Sequence, residues 1–216
     1  MISTRDLTDL PLIDALNRRM QEMAALESVF AIEYGTPRFE YHPRWDQHEQ
    51  MAAVKTGSGD ELFVHFTPRG CCILGFAHES AMSPYRTQPP QPWPGLFSSV
   101  PEELRGSLEE PAFDVDSTTF VVWRLASDDR WSTDDVEYPN DGYDDGSNDL
   151  LSNLILSPKD FGDWLEENYE VNVDLSVVES VFEHVPITSA QLAKLNSELP
   201  LKELRRAIIE TGFPLQ

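Results

Sequence analysis

Cysteine is all but missing from this chain. The two that occur, Cys71 and Cys72, are adjacent, and neighbouring cysteines do not bridge each other without strain. A disulfide framework is therefore excluded, and a reducing compartment is expected. Long apolar runs are missing as well. No stretch reaches the roughly 18 apolar residues that signal a membrane span. Residues 1–30 lack the basic region and apolar core of a signal peptide, so a cytoplasmic location is expected. Positive charge is scarce: 16 Lys and Arg face 38 Asp and Glu, a net charge of −22. That balance repels nucleic acid and anionic membrane and attracts basic partners. The glycine-rich phosphate motifs are absent. Five histidines and two adjacent cysteines supply no zinc-ligand spacing, and neither metal nor cofactor is expected.

What the chain does contain is organised around residues 70–85. Gly70 to Ala77 is the most apolar run, and His78, Glu79, Ser80, Ser83 and Tyr85 follow it directly. An uninterrupted apolar strand is a central strand covered on both faces. The turns Gly57-Ser58-Gly59-Asp60 and Thr67-Pro68-Arg69-Gly70 mark an antiparallel meander of strands 51–56, 62–66 and 71–77. Residues 118–125, rich in β-branched and aromatic side chains, make a further strand. A helix is predicted over 9–28, with Asp9 as cap and Pro11 in its first turn. A β-prone piece at 29–34 and a short strand around Phe39 and Tyr41 follow. Five prolines between 84 and 95 form a stiff loop that Trp93 pins to the body. Ser157-Pro158 opens a helix at 158–169, Asp174 caps 175–185, and Thr188 with Gln191 makes a capping box. Pro200 opens a last helix at 201–211.

Strands grouped first and helices later predict an α+β fold. It has an N-terminal helix, an antiparallel sheet of about five strands, and C-terminal helices packed on one face. One domain, 1–216, is expected. It divides into an N-terminal part (1–49), a sheet (50–125, including the loop 84–95), an acidic loop (126–149) and a helical part (150–216).

Two places carry candidate chemistry. His78, Glu79 and Ser83 are the only candidates for catalysis, a histidine near a carboxylate serving as base to a serine nucleophile. They lack a nucleophile-elbow motif, and the competing reading is a polar strand end. His65, inside a strand, reads as a satisfied core or sheet-surface histidine. The second place is acidic. Residues 114–149 hold 11 acids against two bases. Asp128, Asp129, Asp134, Asp135, Glu137, Asp141, Asp144 and Asp145 could present one surface, with Trp131, Tyr138 and Tyr143 as aromatic anchors. Asn140 to Asp149 has the composition of a calcium loop, but its ligand register does not fit. A solvated loop competes with both readings.

The run Trp131 to Pro139, then Asp145-Gly146-Ser147, then helices carrying Trp164 and Tyr169, resembles small acidic bacterial immunity proteins of the SUKH group. The resemblance covers the C-terminal two-thirds and carries no functional residue across. It implies a non-enzymatic protein-binding domain that neutralises a toxin or another basic partner. The alternative is a small hydrolase or metal-assisted enzyme centred on His78, Glu79 and Ser83.

Overall fold

The computed structural model describes residues 2–139 and 145–216. Its centre is a six-stranded antiparallel sheet in sequence order. The strands are β1 (Phe39–Asp46), β2 (Glu49–Lys55), β3 (Glu61–Thr67), β4 (Gly70–Phe76), β5 (Phe120–Leu125) and β6 (Ser132–Thr133). The sixth, only two residues long, takes the count past the expected five. β4 runs between β3 and β5 and is buried along nearly its whole length. Its alternation sends Cys71 to one face and Cys72 to the other, so each thiol sits in a different core.

Helices cover one face of the sheet. They are α1 (Ile13–Tyr34), α3 (Ser147–Ser152), α4 (Pro158–Tyr169), α5 (Leu175–Phe182), α6 (Ser189–Leu195) and α7 (Leu201–Glu210). Leu16, Met20, Met23 and Phe30 of α1 meet Phe161, Val181 and Ile208 over Val64, Ile73 and Val122. The opposite face is covered by the connection 77–119, which holds only 3-10 turns and the single-turn helix α2 (Gly106–Glu109). From it Leu96, Val100, Leu104 and Phe113 pack on Ala53, Cys72, Leu74 and Trp123.

Helix starts follow the capping chemistry read from the sequence. Ser157 accepts the Asp160 N–H, Asp174 accepts the Ser176 N–H, and Thr188 and Gln191 form a reciprocal capping box. The N-terminal helix departs from expectation. It begins at Ile13, because Leu12 is still extended and caps nothing with its side chain. It then runs straight through the β-prone residues 29–34 to Gly35, whose φ of +97° ends it. Val29, Phe30 and Ala31 are buried on the helix, and that tertiary burial outweighs their weak strand propensity. β1 likewise continues through Pro43. This is tolerated because β1 is an edge strand, with its pairing to β2 broken between His42 and Asp46.

A buried carboxylate joins three of these elements. Glu27 of α1 is fully buried. It accepts the backbone N–H of Arg38 and of Phe39, each at 2.7 Å, and the Tyr169 hydroxyl at 2.5 Å. Burial pushes its pKa up, while these three donors pull it down.

Candidate functional site

Of the three catalytic candidates, His78 and Glu79 lie within ion-pair distance and Ser83 does not join them. His78 stands at the end of β4, where its ring Nδ1 lies 2.7 Å from Asp60, a residue of the β2–β3 turn. Asp60 also accepts the His78 backbone N–H. Glu79 is 89% exposed on its side chain, and its carboxylate is 3.8 Å from His78 Nε2. Ser83 is buried with a hydroxyl that finds no hydrogen-bond partner among the described residues. The structure thus pairs His78 with a carboxylate 18 residues away, which the local pattern around 78–83 could not show. Asp60 reads locally as a turn residue, and only the β3–β4 pairing brings it to His78. The pair stands beside a cleft of about 350 Å³ lined by Arg38, Asp60, Glu79, Ser80, Asp149 and Asn153. Arg38 is engaged there, donating to Asn153 at 2.8 Å.

A second polar chain was not anticipated as a unit. His65 Nε2 lies 3.0 Å from Glu49 and Nδ1 lies 2.9 Å from Ser107 Oγ. Serine, histidine and carboxylate in hydrogen-bonded order are the ingredients of acyl transfer. Ser107, however, is 1% exposed and closed to substrate. Burial pushes the neighbouring Cys72 thiol up to about 12, against a hydrogen bond with Ser107. This chain ties the cover segment to the sheet and satisfies a buried imidazole.

The acidic segment is less of a free loop than its composition suggests. Trp131 is buried and donates its indole N–H to Pro11 O at 2.8 Å. Asp134 is 7% exposed, and one oxygen accepts the Ser99 N–H at 2.6 Å. Burial raises its pKa. Asp145 is 2% exposed and accepts the Thr4 hydroxyl at 2.6 Å and the Ser147 N–H at 3.0 Å. Tyr138 is half-buried, bonded to Thr4 and overlain by the Arg5 guanidinium at 4.4 Å. Asp128 is half-buried and accepts the Leu125 N–H. Trp93 pins the proline-rich loop to this segment by donating to Glu137 O.

Trp131, Asp134 and Asp145 are therefore buried groups that satisfy fold contacts, not members of an open partner-binding surface. The physical reason is simple. A segment laid over the edge of a sheet must satisfy its own backbone and that of its neighbours, and short acids and aromatic N–H groups do so here. Asp129, Asp135 and Glu137 remain exposed. Asp141, Tyr143 and Asp144 lie outside the described residues.

Exposed acid is concentrated elsewhere, on α4. Asp160, Asp163, Glu166, Glu167 and Glu170 all face solvent along that helix and its C-cap, against Lys159 alone. The sequence signal for this was present in the helical run, but the acids are interleaved with core residues and look unremarkable in a linear count. A concavity of about 600 Å³ lies between α1, β1 and α7. Among the described residues no group of three or more His, Cys, Asp and Glu could hold a metal ion, and no helix is long and apolar enough to cross a membrane.

No protein-family model, curated protein or solved structure matches the chain.

Proposed function

We propose that this protein is a non-enzymatic binding domain whose acidic surface engages a basic protein partner, the role an immunity protein plays toward a toxin. The observation that carries the reading is the exposed carboxylate along α4, with further exposed acids, Asp129, Asp135 and Glu137, on the segment 126–139. Concentrated like charge destabilises a fold by self-repulsion, and a basic partner relieves it. Complementary charge of this kind raises association rates and selects partners more than it adds affinity.

The test begins with capture from the organism's own lysate at low salt and identification of what is retained. A variant with Asp163, Glu166, Glu167 and Glu170 changed to Asn or Gln should then bind the identified basic protein at least about tenfold more weakly. Unchanged binding of every recovered partner sinks the proposal.

One observation favours a second reading. The Asp60–His78 pair stands at a cleft, as a general base with its orienting carboxylate would. Ser83 does not partner it, since the Ser83 hydroxyl is buried without a hydrogen-bond partner among the described residues. A hydrolase of this type would lose turnover in His78→Ala and keep it in Ser83→Ala.

A further inference from the structure

Two charges of opposite sign stand unmatched in the cleft beside Asp60 and His78. The first is Arg38. It is half-buried, in a chain of net charge −22, yet its guanidinium meets no carboxylate within ion-pair distance among the described residues. Glu27 takes only its backbone N–H. Nη2 donates to the neutral Asn153 at 2.8 Å, and the guanidinium lies 5.5 Å from the centre of the Trp164 ring. Nε is closed off without a partner, and Nη1 makes no hydrogen bond among the described residues. Burial pulls the pKa of Arg38 down, against the charge of Glu27. A half-buried cation is costly until an anion meets it.

The second is Asp149 of α3, which lines the same cleft. Its carboxylate accepts the Asn148 side-chain amide at 3.1 Å and meets no cation among the described residues. The other two acids of the cleft turn to His78. Asp60 lies 2.7 Å from its Nδ1 and Glu79 3.8 Å from its Nε2. Arg38 and Asp149 thus border one cleft without pairing with each other, and Ala77, Ala81 and Leu150 supply an apolar part of its lining.

We infer that this cleft binds a free α-amino acid, its carboxylate on the Arg38 guanidinium and its ammonium group on Asp149. The guanidinium fork matches a carboxylate in geometry as well as charge. A ligand carrying only negative charge would meet Asp60, Glu79 and Asp149, and one carrying only positive charge would meet Arg38. A zwitterion satisfies both ends. The cleft volume of about 350 Å³ suits a small molecule, at the lower end of the range of ligand pockets. The inference depends neither on the acidic surface nor on chemistry at His78.

Titration calorimetry tests it. The twenty proteinogenic amino acids are titrated singly into the full chain, with acetate and ethylammonium as probes that carry one charge each. The expected result is saturable heat from at least one amino acid, with both single-charge probes weaker by at least about tenfold. Arg38→Gln keeps the backbone N–H that Glu27 holds and should weaken that amino acid at least about tenfold. Asp149→Asn changes an exposed side chain and should weaken it at least about threefold with an unchanged melting curve. If Arg38→Gln does not fold, Asp149→Asn carries the test alone. No saturable heat from any amino acid overturns the inference. So do acetate or ethylammonium binding as tightly as the amino acid, or an affinity unchanged in Asp149→Asn. Calorimetry of this kind reads binding without turnover or partner, so its failure leaves the acidic-surface and hydrolase readings standing.

Discussion

Glu27→Ala is expected to lower stability by about 3 kcal/mol or more at neutral pH, one of the largest losses available from a single substitution. The reason is what remains behind. Removing the carboxylate leaves two backbone N–H groups, of Arg38 and Phe39, and the Tyr169 hydroxyl buried without an acceptor. Glu27 belongs to α1 and these groups to the start of β1 and the end of α4, so the loss is felt across the helix layer and the sheet edge together. At roughly 2–4 °C per kcal/mol for a chain of this size, the melting temperature falls by at least about 6 °C.

The pH dependence has a definite sign. Burial is the largest influence on Glu27 and raises its pKa above the ordinary value of 4.5. A carboxylate raised in the folded state binds its proton more tightly there than when unfolded. Its contribution is full below about pH 4.5 and declines as pH rises through the raised value. The stability gap between wild type and Glu27→Ala should therefore be wider at pH 4.5 than at pH 7.5, read from denaturant midpoints at each pH. A gap that widens with pH would show that hydrogen bonding outweighs desolvation at this site.

Gly75→Val should unfold the protein or cost about 3 kcal/mol, although valine is the better strand former. Gly75 lies in β4 opposite Phe120 of β5. A Cβ at Gly75 would fall 2.1 Å from the Phe120 ring, which occupies the space over the glycine. Phe120 is buried, so the ring has nowhere to go without opening the core between the sheet and its helices. The two positions should couple. Phe120→Ala alone leaves a cavity and costs about 3–5 kcal/mol, yet in the Gly75→Val background it should cost far less, because the new side chain fills part of that space. A double-mutant cycle followed by urea unfolding reads the coupling directly. Strictly additive losses would contradict the overlap seen between ring and glycine.

These two sites also show where the sequence is legible. Capping residues act within three or four positions, so Ser157, Asp174 and the Thr188–Gln191 box place α4, α5 and α6 within a few residues of where they stand. The turns around Gly57 and Gly70 likewise fix the meander, and the apolar run 71–77 marks the strand that both cores cover. Non-local facts were out of reach. Nothing near Val29 announces that α1 carries it into the core, and nothing near Glu27 marks it as the acceptor for Tyr169, 142 residues away. Composition misleads in the acidic segment. Trp131, Asp134 and Asp145 look like an acidic aromatic surface, yet burial and hydrogen bonds turn them inward. The dispersed acids of α4, each a helical turn or less from a core residue, hold the exposed charge instead.

That exposed charge is what a partner would sense, and ionic strength is the variable that acts on it most directly. At about 0.15 M salt the Debye length is near 8 Å, and it falls to about 3 Å at 1 M. The decisive measurement is the Kd of the identified partner by calorimetry between about 50 and 500 mM sodium chloride, repeated on the variant with Asp163, Glu166, Glu167 and Glu170 neutralised. The wild-type affinity is expected to fall at least tenfold across that range, and the neutralised variant to start weaker with a flatter salt dependence. A wild-type Kd that is indifferent to salt, or a variant with the wild-type slope, would contradict an acidic surface built for a basic partner.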